Sequence, residues 1–223
     1  MHSYYSESNK LINHMNLKNI TRIILGIAAV ILAYFLFESI MKPQRYETLR
    51  ARKEVEVVNR LKDIRTAQLA FRNVHGRFAG TMDSLVLFLE EGRLPTVRKT
   101  GEIPEEMTEA EALRQGIITR DTVFTDAYSA LFPDYDRAVH MATFRFIPFT
   151  GRTKEFTVEA GFVERNNIQV PVVEVTAFLL DYMTEPEFQQ LATNAVKRAR
   201  DINRFPGRKF GSMTDPITEG NWE

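Results

Sequence analysis

The run IILGIAAVILAYFLF, residues 23–37, carries no charge, and it constrains the chain more than any other feature. Extending it outward to Ile20 and Met41 adds only Arg22 and Glu38, near the two ends. A bilayer core takes about 20 helical residues, and long side chains at the ends reach the headgroups. The run therefore predicts one transmembrane helix over 20–41, stopped by Lys42 and Pro43. A cleaved signal peptide fits less well: the run is longer than a usual signal core, and no small-x-small site follows in ESIMKPQR. A buried core helix fits less well because the run leaves no polar face. The flanks carry Lys10, Lys18 and Arg22 before the span, and Lys42, Arg45, Arg50, Arg52 and Lys53 after it. Counted alone, they tilt slightly toward a cytoplasmic C-terminal part. The second group is interleaved with Glu47, Glu54 and Glu56, where its cations also serve as i,i+4 helix partners.

The remainder reads as a folded domain. Lys and Arg total 29, Asp and Glu total 29, and the net charge is zero, which argues against nucleic acid as a partner. The absence of Cys excludes a disulfide framework, a thiolate metal site and a thiol nucleophile. From Gln44 to His75 there is no Gly or Pro. Val57, Leu61, Ile64, Phe71 and Val74 fall at helical spacing, with Gln68 interrupting the stripe. Arg60, Lys62, Asp63, Arg65 and Arg72 lie on the opposite face, and Gly76 is a stop signal. The expectation is a polar N-terminal segment over 1–19, a span over 20–41, a stalk helix over 42–56 and a domain over 57–205, with a kink near Pro43.

Thr81 or Asp83 can cap a short helix that Gly92 ends. Residues 96–106 read as a surface loop, and Thr108 to Glu111 as a capping box for a helix ending at Gly116. A strand is predicted over 117–125, and a turn of helix capped by Asp126 runs through Leu131. Three runs, 143–149, 153–163 and 168–179, predict an antiparallel meander. Pro148 and Pro171 belong at an edge, bulge or strand end. A last helix over 185–203 presents Phe188, Leu191, Ala195, Ala199 and Ile202. The tail over 206–223 reads as flexible. The fold class is thus α+β: a transmembrane helix continuing as a long amphipathic helix, packed on an antiparallel meander, with short extra helices.

The residues point to no catalytic, cofactor-binding or metal-ligating set. His2, His14, His75 and His140 lack metal spacing, and no HExxH, GxSxG, Walker loop or GxGxxG occurs. His75 reads as a helix-end cap, and Asp134-Tyr135-Asp136 as a turn rather than a cation loop. Gly76 to Gly80 also reads as a turn. Lys197, Arg198, Arg200, Arg204, Arg208 and Lys209 form the densest cationic cluster, opposed only by Asp201. It reads as a solvated helix end, with lipid headgroups or an acidic partner as the functional alternative. Trp222, the only Trp, is either tail composition or a docking residue.

The stretch VNRLKDIRTAQLAFRNVHGRF, residues 58–78, resembles the C-terminal half of the long helix in type IV pilin-like and type II secretion pseudopilin proteins. Leu61, Ile64, Arg65, Ala67, Phe71, Gly76, Arg77 and Phe78 carry the resemblance, TMDSLVLFL over 81–89 matches the capped short helix that follows, and the resemblance covers residues 58–90. It implies a long helix docked on an antiparallel sheet, in a domain facing the periplasm. The chain departs from that family in having no Gly-Phe-Thr-Leu-Ile-Glu box before its apolar run. The expectation is a relative that keeps its N-terminus and stays anchored.

Taken together, the sequence predicts a non-enzymatic, single-pass protein of the bacterial inner membrane. Its pilin-like domain would be periplasmic, and its partners the lipid bilayer and other envelope proteins. A bitopic scaffold of a secretion or division complex unrelated to pilins is the first alternative. An anchored cell-envelope enzyme is the second.

Overall fold

The computed structural model describes residues 17–100, 107–115 and 119–223. The expectations for residues 1–16, for 101–106 of the loop, for Gly116 and for the start of the second strand lie outside them. The chain divides into two compact units, Met1–Leu49 and Arg50–Glu223.

Helix α1, Leu17–His75, runs through Pro43. Pro43 has no N–H to donate to Ser39, so one helical bond is missing, yet the helix does not end there. In the first unit, every large apolar side chain from Ile23 to Phe37 is exposed. Among the described residues, one helix is long and apolar enough to cross a membrane. Just after the apolar run, the Arg45 guanidinium donates to Glu38 Oε2 at 2.5 Å.

The second unit begins with the rest of α1. Val57, Leu61, Ile64 and Ala67 are fully buried and Phe71 nearly so, as the periodicity predicts. Val74 departs from the expectation and is exposed, because the helix ends one residue later and little covers its last turn. Gln68 is part of the core rather than a gap in it. Its Nε2 donates to Ala79 O and its Oε1 accepts from Ala79 N, both at 2.9 Å. That pairing fastens the Gly76–Gly80 turn onto α1. Gly76 has φ +70 and donates to Arg72 O, giving the left-handed cap that only glycine adopts freely.

Helix α2, Met82–Glu91, is capped by Thr81, whose hydroxyl accepts from Ser84 N. Its Phe88 meets Phe71 edge-on, with ring centroids 5.2 Å apart. Strand β1, Arg93–Thr100, stands where a loop was expected. It pairs antiparallel with β2, Thr119–Asp126, from Arg93↔Asp126 to Thr100↔Thr119. Lys, Arg and Pro hid this strand in the sequence, because a two-stranded ribbon needs no apolar alternation. Helix α3, Glu109–Arg114, lies between the two strands in the chain. The Asp126 carboxylate accepts from Ser129 N and caps α4, Ala127–Leu131. Asp136 does the same through Val139 N for α5, Arg137–Phe144.

The main sheet has the order β3-β4-β5. The first predicted strand, 143–149, is absent: its residues end α5 and enter a tight loop, whose one ladder contact is the Phe146↔Glu155 bridge. Strand β3 is Thr157–Arg165 and β4 is Ile168–Phe178. Asn166 and Asn167 join them with φ of +52 and +62, the mirror-image turn that suits a hairpin. Pro171 lies in central β4, but β5 pairs only with Glu174–Phe178. On that side Pro171 is therefore an edge residue and interrupts no ladder.

The third strand comes from the stretch expected to be flexible. Strand β5, Gly207–Gly211, buries Phe210 completely. Glycines that read as tail composition are what allow the pairing. A Cβ on Gly207 would lie 2.1 Å from Ala177 O, and one on Gly211, at φ +77, would lie 2.0 Å from Val173 O. The chain end stays attached too: Arg65 donates to Glu223 Oε1 at 2.6 Å and its guanidinium lies over the Trp222 ring. Helix α6, Leu179–Tyr182, and a 3-10 turn, Pro186–Phe188, lead into α7, Gln189–Asp201. The buried face of α7 is Ala192, Ala195 and Val196, and the predicted Ile202 is exposed. The helix ends at Asp201, so Ile202 falls outside its periodicity.

Residues 50–56 belong to the domain, and Lys53 and Glu54 are buried. Lys53 Nζ donates to Tyr182 O at 2.7 Å and to Glu185 Oε1 at 2.5 Å. Glu54 accepts from Arg50 Nε at 2.9 Å and also pairs with Arg208. Buried charges need such partners, and Tyr182, Glu185 and Arg208, each more than 100 positions away, leave no local sequence signal.

Candidate functional site

A groove of about 920 Å³ runs along the N-terminal part of the domain's helix. One wall is a stripe of α1, with Arg52, Glu56, Asn59 and Asp63 at spacings of three and four, and Val55 and Arg60 beside them. The other wall is the loop after α5, carrying Phe146, Ile147, Phe149 and Arg152.

That loop is rigidly built. Ile147 N donates to Lys154 O at 2.9 Å, and Thr150 Oγ1 donates to Ile147 O at 2.7 Å. Thr153 Oγ1 donates to Thr150 O at 2.6 Å. Phe149 has φ +69, Gly151 +62 and Arg152 +63. For a bulky residue such as Phe, a left-handed backbone costs about 1–3 kcal/mol and persists only where the surroundings over-determine it. The ring it presents is 48% exposed, Lys53 Nζ sits 5.1 Å from its centroid, and Val55 on the facing wall is 57% exposed. The groove thus offers apolar side chains between cations (Arg52, Arg60, Arg152) and acids (Glu56, Asp63).

Behind one end of the groove lies a polar cluster that the sequence did not reveal. His140 is buried, with Nε2 3.3 Å from Asp63 Oδ2 and Nδ1 3.0 Å from the Tyr128 hydroxyl. A carboxylate only accepts, so Nε2 carries the proton toward Asp63. In the neutral ring, Nδ1 then accepts from Tyr128. Tyr135 stacks on His140 with centroids 4.4 Å apart and donates to Asp63 Oδ1 at 3.4 Å. The negative charge of Asp63, reinforced by burial, raises the Tyr135 phenol above its ordinary value. Burial raises Tyr128. Burial also lowers the Arg60 guanidinium, against the pull of Asp63, and Arg60 donates to Thr143 Oγ1 at 3.0 Å. The charged face of α1 is therefore partly packed: Asp63 and Arg60 clamp α5 onto α1.

An Asp–His pair invites comparison with a catalytic triad. A triad needs its third group, a nucleophile, exposed at a cleft with donors for the developing oxyanion. Here the third group is a phenol buried behind the ring, with Phe132 and Phe144 closing the sides. The arrangement suits holding two helices together. No local pattern could have exposed it, since Asp63 and His140 are 77 positions apart.

The other sequence candidates fall in separate places. His75 lies against Phe71, with ring centroids 4.3 Å apart and the rings tilted by 43°. Asp134-Tyr135-Asp136 is the turn that caps α5. Trp222 contacts Arg65 within the chain. Among the described residues, no group of three or more His, Cys, Asp or Glu is placed to hold a metal ion. No family model matches the chain, and no curated protein or solved structure matches it either.

Proposed function

We propose that this chain is a non-enzymatic, single-pass protein of the bacterial inner membrane, anchored by residues 20–41. Its α+β domain is a pilin-like interaction module that faces the periplasm and binds other envelope proteins. Support for the membrane part comes from the exposed apolar run of α1. Support for the pilin-like part comes from the order of elements: a long helix with one buried face, a Gly-Arg-Phe turn, a capped short helix and a later antiparallel sheet. The observation that carries the binding role is the Phe149 ring, half exposed over a rigid loop whose backbone is strained at that very residue. A partner segment with apolar side chains would settle between Phe149 and Val55, with the flanking charges setting its register.

The test is a photo-crosslinking residue at position 55 in the full chain, in its native membranes. A discrete adduct that disappears with Phe149→Asp is the expected result. Phe149→Gly should also abolish it while leaving stability within about 1 kcal/mol, because relief of the left-handed strain offsets the greater freedom of glycine in the unfolded chain. No adduct at position 55, or one indifferent to Phe149, contradicts the groove as the binding surface.

A further inference from the structure

A second groove, of about 610 Å³, lies between the C-terminal end of α7 and β5. Its walls include Leu179, Ala199, Ile202 and Phe205, and its rim carries Arg198, Arg204, Arg208 and Lys209. The cations divide into two kinds. Arg208 pairs with Glu54, and Lys209 donates to Glu174 Oε2 at 2.5 Å. Among the described residues, no carboxylate lies within ion-pair distance of Arg198 or Arg204. Of the nearby acids, Glu223 lines the groove but is held by Arg65, and Asp201 does not line it. Ile202, between the two uncommitted arginines in the chain, is 61% exposed.

We infer that this groove binds the phosphate headgroup of an acidic phospholipid. Arg198 and Arg204 would take the phosphate, with the exposed Ile202 and the Phe205 wall against the glycerol and first methylenes. An apolar wall beside unpaired guanidinium groups matches a ligand that is anionic at one end and greasy at the other. The chain itself argues for a lipid source. Arg50 lines the groove and follows Lys42, the end of the predicted span, by eight residues. At no more than about 3.6 Å per residue, that tether holds Arg50 within about 30 Å of the headgroups. The lipid source rests on the anchoring proposed above. The groove's own chemistry does not, so a soluble short-chain lipid tests it independently.

The experiment uses the full chain in a neutral detergent. Trp222, the only tryptophan, lies between Asn221 and Glu223 of the groove lining and reports binding by fluorescence. The probes are dihexanoyl phosphatidylglycerol, dihexanoyl phosphatidylcholine, inorganic phosphate and a polyglutamate peptide. Phosphatidylglycerol should bind at least tenfold more tightly than phosphatidylcholine or phosphate. The double variant Arg198→Gln, Arg204→Gln should weaken it roughly 30-fold, the product of two surface cations. Lys154→Gln, an exposed cation outside the groove, should leave binding unchanged. The two arginines are exposed, so melting should not move. If the double variant does not fold, Arg204→Gln alone should still weaken binding several-fold. Equal affinity for the two lipids, equal affinity for free phosphate, preference for polyglutamate, or indifference to the arginines would each overturn the assignment.

Discussion

Replacing Gln68 with leucine removes two hydrogen bonds without opening a cavity. The Gln68 amide and Ala79 are both fully buried, and the amide satisfies both backbone groups of Ala79. Leucine has nearly the same volume, so the cost comes from Ala79 N–H and C=O losing their only protein partner in a dry site. Each such group costs about 1–3 kcal/mol, and the better burial of leucine returns about 1–2 kcal/mol. At mid-range values the net loss should be about 2–3 kcal/mol. In a unit of this size that corresponds to a fall in melting temperature of roughly 5–15 °C. Gln68→Glu should be worse: it sets a second acceptor against Ala79 O and buries a charge. Urea unfolding of the full chain in mild detergent, followed by Trp222 fluorescence, measures the loss. Hydrogen exchange of the Ala79 amide locates it. A Gln68→Leu protein within about 0.5 kcal/mol of the parent, with Ala79 still protected, would refute the reasoning, because another group would then be satisfying the turn.

Three further outcomes are expected. Gly211→Ala should detach β5, since its Cβ would meet Val173 O at 2.0 Å in a left-handed backbone, and limited proteolysis should then release the chain end after Phe205. Asp63→Asn should bring the Tyr135 phenol back down toward about 10, seen by site-resolved NMR titration, because the Asp63 charge is the main cause of its elevation. Acid should destabilise the domain. The Ser129 N–H, with help from Arg137, holds Asp126 below its ordinary value despite some burial. Burial pushes Glu185 up, but the bond from Lys53 and its backbone N–H partners outweigh it and leave it lowered. Depressed carboxylates stabilise the fold above their unfolded value of about 4 and lose that contribution as pH falls through the folded value. Melting temperature should therefore drop below about pH 4, less steeply for Asp126→Asn than for the parent.

What could be read in the sequence was what depends on near neighbours. The apolar run, the Val57–Phe71 face, the Thr81 and Asp126 caps, the Gly76 stop and the pairing of the runs 153–163 and 168–179 each rest on residues a few positions apart. The failures share the opposite cause. Strand β5 depends on glycines meeting β4 about 30 positions earlier, at Phe178↔Gly207 and Glu174↔Gly211. Lys53 and Glu54 look solvated until Glu185 and Arg208 are beside them. The run 143–149 has the apolar content of a strand, but Asp136 starts a helix that reaches Phe144 and leaves too few residues for one. In the candidate groove, the α1 stripe was visible as a charged face. The left-handed Phe149 and the buried Asp63–His140 contact were not, because both are set by tertiary packing.

Alkaline carbonate extraction of membranes carrying the full chain tests the anchor. A helix whose apolar side chains from Ile23 to Phe37 are all exposed should stay in the bilayer after peripheral proteins are stripped, and should leave only with detergent. The chain should be found entirely in the membrane pellet, released by detergent alone. Recovery of the intact chain in the carbonate supernatant would contradict it, and with it the reading of residues 20–41 as a transmembrane span.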